Sequence, residues 1–150
     1  MKGKFKSTLS KVEKKVQKTF NEFIRLRDII KTEDGSLIAK CISCNKTWLL
    51  NTPSDWKNYH ASHYFLENKY QSVRYDEVNV NGACSYCNRF LHGNLAEYEI
   101  GLVKKVGIDR VEHLKIRRNF LEKYDMIELE ELNNLYLEKI KVQKLRLGIK

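Results

Sequence analysis

All four cysteines and three of the four histidines of this 150-residue chain fall between residues 41 and 92. The cysteines form two pairs, Cys41-Ile-Ser-Cys44 and Cys84-Ser-Tyr-Cys87. A two-residue spacer lets both thiolates of a turn face one ion, and two such pairs make a tetrahedral Zn–S4 site. Four unrelated buried cysteines would not explain the paired spacing, and a redox dithiol needs only one pair. Four protein ligands leave no open position for water or substrate, so the spacing predicts a structural Zn2+. Any chemistry must then use a second site.

The residues for a second site lie beside the second pair. His60 and His63 are three apart, Asn79 lies five residues before Cys84, Asn88 follows Cys87 directly, and His92 is four residues beyond. A hairpin folded over the start of a helix would bring this set together. A single-metal phosphodiesterase needs such a set: an imidazole to deprotonate a water, and carboxylate, amide or imidazole ligands to hold a divalent cation on the phosphate. Each residue also has a plainer reading. A histidine on a strand can serve packing, Asn79 can hold a turn, Asn88 can cap a helix, and His92 suits a helix C-terminus.

The elements that must position these residues are partly legible. Leu9, Val12, Val16, Phe20, Phe23, Ile24 and Ile30 recur at helical steps, which predicts an amphipathic helix over 5–31 with lysines on its outer face. Ser10 with Glu13 has the form of a capping box. Residues 36–50 predict a short hairpin with the first cysteine pair in its turn, and 51–58 a loop. Residues 60–66 and 72–75 read as two short strands. The chain is predicted helical from Cys84 onwards. Asn94 with Glu97, Asp109 with Glu112 and Asp125 with Glu128 mark helix starts, and Gly107 a helix end. Knuckle, hairpin and then a helix bearing the second cysteine pair is the treble-clef order. His113 reads as structural.

Composition bounds the partners. The hydrophobic fraction of 42% supports a core, and no apolar run approaches the ~20 residues of a membrane span. No secretory h-region follows the N-terminal lysines, so the expected location is the cytoplasm, where cysteines stay reduced. The net charge of +9 is uneven: residues 1–27 carry nine Lys/Arg against Glu13 and Glu22. Phosphate backbones are the commonest partner for such a surface, and a merely solubilising face is the alternative.

Several segments together resemble a known family. His63-Tyr64, Val73-Arg74-Tyr75-Asp76-Glu77-x-Asn79, Cys84-x-x-Cys87-Asn88 and Gly93-Asn94 resemble the NinG/Rap recombination proteins of lambdoid phages. Phe23-Ile24-Arg25-x-Arg27-Asp28 and Cys41-Ile42-Ser43-Cys44 resemble the segment preceding the site in that family. The similarity runs from about residue 20 to Val111, with a weaker echo to about Arg146. More broadly the pattern is similar to HNH, or ββα-metal, endonucleases, including the phage endonuclease VII type. The resemblance implies a structure-selective DNA endonuclease acting on Holliday junctions or D-loops. Carried over, His63 corresponds to the general base, Asn79 to the Asn that orients the base and its loop, and Asn88 to a metal ligand. His60 stands where the phage family has Asp, and Ser62 stands at the Asp position usual in HNH enzymes. Alternation puts residues 60 and 62 on one strand face. His60, Asn88 and His92 are then candidate ligands for Mg2+ or Mn2+, with cobalt, nickel or zinc favoured by the imidazole. Asp76 and Glu77 are candidate carboxylate substitutes.

The sequence therefore predicts an α+β, treble-clef zinc and ββα-metal core over 20–118. A basic helical extension covers 1–19, and a helix within 119–150 serves packing or dimerisation. Arg25, Arg27, Arg74 and Arg89 are expected to hold DNA. Resolving a symmetric junction takes two cuts, so a homodimer is expected. The rivals are a zinc-stabilised nucleic-acid-binding module without catalysis, and a coiled-coil adaptor whose heptad would break at Lys139.

Overall fold

The computed structural model describes residues 2–150, with side chains from residue 8 onward. Lys2, Lys4 and Lys6 of the basic run therefore lie outside the described side chains. Helix α1 spans Lys2–Arg27. It buries Val16, Phe20, Phe23 and Ile24, the apolar stripe expected from the sequence. It runs straight through Ser10, so the capping box there is not used as a start. It also ends earlier than expected. Ile30–Lys31 leave the helix as strand β1 and pair antiparallel with β2, Leu37–Lys40. Gly35, at φ +86°, makes the turn between them. Strand β3, Thr47–Leu49, completes a three-stranded sheet, with Ile38 opposite Leu49 and Lys40 opposite Thr47. As expected, Cys41 and Cys44 occupy the β2–β3 turn.

The 51–58 segment is not a plain loop. It holds α2, Pro53–Lys57, started by a reciprocal Thr52–Asp55 capping box and by Pro53. Strand β4, Tyr59–His63, pairs antiparallel with β5, Val80–Cys84. The expected strand at 72–75 does not form: Gln71–Val73 is a single 3-10 turn. Val73 and Tyr75 are buried there. Their β-branched and aromatic character reports burial, which strand propensity cannot separate from pairing. Strand β5, with sequence Val-Asn-Gly-Ala-Cys, carries weak strand signals. It is specified by packing: a Cβ at Gly82 would stand 2.1 Å from the Tyr59 hydroxyl, so only glycine fits beneath that ring.

After Cys84 the chain makes one wide helical turn, Tyr86–Phe90, with π-type hydrogen bonding. Helices α3 (Leu95–Val106), α4 (Ile108–Arg117) and α5 (Met126–Leu147) follow. The Asp125–Glu128 capping box forms at the start of α5. The Asn94–Glu97 box does not. Asn94 sits at φ +51° without a capping bond, and its amide donates to Cys87 Sγ at 3.7 Å. Helix α4 begins after Gly107 rather than at Asp109.

Helices α1 and α5 pack along each other. Leu129, Tyr136, Ile140 and Leu147 face Val16, Phe20 and Phe23, and the Phe20 and Tyr136 rings meet edge to face at 4.8 Å. This seam uses Asn133, whose buried oxygen accepts the Thr19 hydroxyl at 2.8 Å. Lys139 edges the seam, its ammonium 5.2 Å from the centroids of the Phe23 and Tyr136 rings, and pairs with Glu77. The 19/20 boundary falls inside α1, whose Val16 and Phe20 share one core. A second cluster, with Tyr64, Phe65, Tyr98, Leu102 and Leu114, joins the 64–78 loop to α3 and α4.

Candidate functional site

The two cysteine pairs come together where the β2–β3 turn meets the end of β5. All four sulfurs lie within 4.8 Å of one another. Cys44 Sγ and Cys84 Sγ are 3.8 Å apart, which matches the ~3.8 Å edge of a tetrahedron built from Zn–S bonds of about 2.3 Å. Backbone contacts fix this approach. Ile42 N–H donates to Gly82 O at 2.9 Å, and the Ser43 hydroxyl donates to Gly93 O at 3.0 Å. Helix α3 presses on the same turn through Gly101, where a Cβ would stand 2.0 Å from Ile42 O.

The electrostatics of the cluster call for a cation. Burial pushes the Cys41 thiol up, but backbone amides at Cys44, Cys84 and Ser43 outweigh it and favour the thiolate. Burial, reinforced by that charge, raises Cys84 and pushes Cys87 up to about 12. Further thiolates beside the first need a positive ion among them. The four cysteines can hold a metal such as zinc.

The second candidate site lies in a groove of about 600 Å3 between α1, β4 and the Tyr86–Phe90 turn. His60 Nδ1 meets the Asn88 side chain at 3.0 Å, and His60 Nε2 meets Lys57 O at 3.0 Å. Burial, then Arg89 and Arg25, depress the His60 pKa. The ring is thus held neutral, the form that can ligate a metal.

His63 sits deeper, with 9% of its side chain exposed. Burial lowers its pKa to about 4, against a weaker upward pull from a hydrogen bond to the Arg74 backbone. Its Nε2 lies 3.4 Å from Gln17 Nε2 and 3.4 Å from Glu67 Oε2. Gln17 Oε1 accepts Arg74 Nε at 2.8 Å, which turns the glutamine amide N–H toward the ring. That orientation suits a His63 Nε2 carrying a lone pair.

Asn79 is fully buried and clamps the loop after β4. Its oxygen accepts Phe65 N–H at 2.8 Å, and its amide donates to Phe65 O and Val73 O.

Other predicted site residues fall elsewhere. His92 is exposed at φ +48° in the loop before α3 and does not line the groove. Ser62 is buried, its hydroxyl unpartnered, and it does not line the groove either. Asp76 pairs with Arg117, and Glu77 with Lys139, so neither stands in for a carboxylate ligand. Arg25, Arg74 and Arg89 line the groove, but Arg27 does not. Its guanidinium is taken up by Asp28, Asn81 and the carbonyls of Glu77 and Val80. It is a structural staple, because the buried Asp28 needs its charge.

Sequence reasoning missed the α1 side of the groove. Lys14, Gln17, Lys18 and Asn21 line it, as do Lys57 and Glu67. Residues 14, 18, 21 and 25 recur at helical spacing; of these the sequence singles out only Arg25 for DNA, because lysines on the polar face of an amphipathic helix imply no more than exposure. The Gln17–His63 contact spans 46 residues of sequence and leaves no local trace.

The fold and site define a small, basic α+β protein. It has a four-cysteine cluster that could hold a metal, beside a histidine-bearing groove rich in cations. A family model described as "Bacteriophage Lambda NinG protein" matches residues 2–145, and the chain belongs to that family. It is 29% identical over 128 residues to "Protein ninG" of Escherichia phage 933W, covering 85% of this chain and 56% of that one. It is 32% identical over 102 residues to "Protein ninG" of Salmonella phage P22, covering 68% and 43%. It is 28% identical over 128 residues to "Protein ninG" of Escherichia phage lambda, covering 85% and 55%. The chain thus spans about half the length of these curated relatives. No solved structure matches it. Among the described residues no helix is long and apolar enough to cross a membrane.

Proposed function

We propose that the chain is a metal-dependent endonuclease of the HNH, or ββα-metal, type that cuts phosphodiester bonds in branched DNA such as Holliday junctions or D-loops. The proposal rests on one observation: the His60–Asn88 pair lines a groove with Lys14, Lys18, Arg25, Lys57, Arg74 and Arg89, and His63 stands behind that lining, touching it through Gln17 and Glu67. The knuckle, the β4–β5 hairpin and the helical turn after Cys84 follow the order of a treble clef. Such a substrate places the protein in the host cytoplasm, and two symmetric cuts suit a homodimer.

The donors present set the choice of ion. His60 Nδ1 accepts the Asn88 amide N–H here, and with that amide turned over, Nδ1 and the Asn88 oxygen would be neutral ligands; among the described residues no carboxylate contacts either. Among the described residues the cysteines are the one group of three or more His, Cys, Asp or Glu side chains placed to share an ion. Nitrogen and amide donors fit manganese, cobalt, nickel or zinc better than magnesium, which favours carboxylate oxygens. His60 and Asn88 would hold the ion, and the chemistry it would supply there is charge stabilisation at the phosphate and the leaving oxygen.

The chain's own residues do the rest. The low pKa of His63 keeps its imidazole neutral at pH 7, ready to accept a proton from water at Nε2. Gln17 orients the ring. Once the ring is protonated, Glu67 Oε2, 3.4 Å away, stabilises the imidazolium. Asn79 holds the loop that carries Glu67. The groove cations grip the backbone on either side.

A second reading is a zinc-stabilised DNA-binding module without catalysis. It is favoured by the imidazole at residue 60, where related nucleases place a carboxylate. One experiment separates the two: a labelled four-way junction and a linear duplex incubated with magnesium, manganese, cobalt or nickel. Wild type is expected to cut the junction, most strongly with the transition ions. His63→Ala is expected to bind it equally, keep its zinc, and not cut. Cutting by His63→Ala at the wild-type rate overturns the mechanism. Binding without cutting by wild type in all four metals selects the module.

A further inference from the structure

Two aromatic rings stand in solvent on the turn that also brings Asn88 and Arg89 to the groove. Tyr86 is 61% exposed and Phe90 71% exposed, on the same turn that carries Cys87 and Asn88. Their ring centroids are 5.9 Å apart and their planes are tilted by 33°. Neither ring belongs to the described core clusters. Arg89, also exposed, lies between them in sequence and lines the basic groove. On the other side, Tyr86 borders a hollow lined by both Lys46 and Asp55.

We propose that Tyr86 and Phe90 form a stacking wedge that takes unpaired nucleobases at a branch point, while Arg89 holds the adjoining phosphate. This rests on the DNA reading above and supplies what that reading lacks. Backbone-directed lysines and arginines position DNA but do not recognise an opened base. A base in a linear duplex has both faces covered by its neighbours. At a junction, flap or D-loop edge a face is free, and aromatic side chains take such faces with little regard to sequence. The charge on the groove side of the rings chooses this occupant: an aromatic pair flanking Arg89, beside a groove lined by lysines and arginines, suits a flat base on an anionic backbone. The wedge is also anchored. Cys87, one residue beyond Tyr86, is buried in the metal cluster, so the turn is fixed where the rings emerge.

The test measures affinity by anisotropy for a flapped junction bearing 2-aminopurine at the branch and for a blunt duplex of equal length. Wild type, Tyr86→Ala, Phe90→Ala, Phe90→Leu and Phe90→Trp are compared, with zinc content and sedimentation as controls. Wild type is expected to quench 2-aminopurine. Tyr86→Ala, Phe90→Ala and Phe90→Leu are each expected to lose about tenfold in affinity for the flapped junction and almost nothing for the duplex. Phe90→Trp is expected to retain both affinity and quenching. Retention of affinity by Phe90→Leu overturns the proposal, because plain apolar contact would suffice. So does an equal loss on both DNAs, or a changed oligomeric state with DNA binding intact, which would mark a protein interface. If wild type binds neither DNA, the DNA reading fails and the wedge with it. If wild type binds and cuts the junction and the ring variants match it, the wedge alone fails.

Discussion

His63 is the residue on which the proposed chemistry turns, and its environment makes a measurable claim independent of activity. Burial lowers its pKa from the ordinary 6.5 to about 4. Between those values the unfolded chain binds a proton that the folded chain does not. Stability therefore rises with pH across this window and is lost as pH falls through it. A shift of this size corresponds to about 3 kcal/mol between pH 7 and pH 4. His63→Gln has no such proton to take up. Urea unfolding across that range is expected to show wild type losing about 3 kcal/mol more than His63→Gln. Acid loss of zinc affects both proteins alike and cancels in the comparison. Superimposable pH profiles would mean that the ring is not held neutral, and the general-base role would lose its physical ground. The same residue shows the limit of reading the sequence. His63 was legible as a candidate, because its spacing from His60 is local. Gln17 and Glu67, which set the state of its ring, were not. One reaches it across 46 residues, and the other stands beyond the end of β4, where neither strand nor helix periodicity says which way a side chain turns.

At the level of elements, the metal cluster depends on close approach of backbones. The cysteine pairs were legible because knuckle spacing is short and self-contained. The partner strand was not: Val80–Cys84 contains Asn81 and Gly82, and its burial comes from Tyr59 above and Tyr98 beside it. Helical periodicity revealed α1 and α5 because each carries an apolar stripe. It missed the seam between them, since a buried Asn133 bonded to Thr19 interrupts the pattern. Helix α3 offers a test with an unusual sign. Gly101 lies inside that helix, where Ala is ordinarily better by about 0.5–1 kcal/mol. Here an added Cβ would stand 2.0 Å from Ile42 O, in the turn that carries Cys41 and Cys44. Backbone cannot yield as a side-chain tip can, so α3 must move off the knuckle, at about 1–3 kcal/mol. Gly101→Ala is expected to lower the denaturation midpoint and to release zinc more readily to a chelator. A gain in stability would show that α3 does not clamp the knuckle.

The whole molecule is organised by one helix with two duties. One stripe of α1 holds Val16, Phe20, Phe23 and Ile24 against α5 and the hairpin. Another presents Lys14, Lys18 and Arg25 to the groove, where Lys57, Arg74 and Arg89 face them. The +9 charge is thus concentrated at the histidines as well as spread over the chain ends. Six cations that each neutralise one phosphate give a log–log salt slope of about −5 for binding to duplex DNA. Replacing Lys14 and Lys18 together by alanine is expected to reduce that slope by about 2 and to weaken binding to linear and branched DNA in proportion. Neither residue carries its apolar neighbours' packing, so unfolding midpoints should stay close to wild type. Lys141 is the control: it lies on the exposed face of α5, paired with Glu138, and does not line the groove. Lys141→Ala should leave the slope where it was. If Lys141→Ala shifts the slope as much as a groove lysine does, DNA contacts the protein through diffuse charge. The groove would then lose its claim to be the nucleic-acid face, and with it the argument that places the scissile phosphate beside His63.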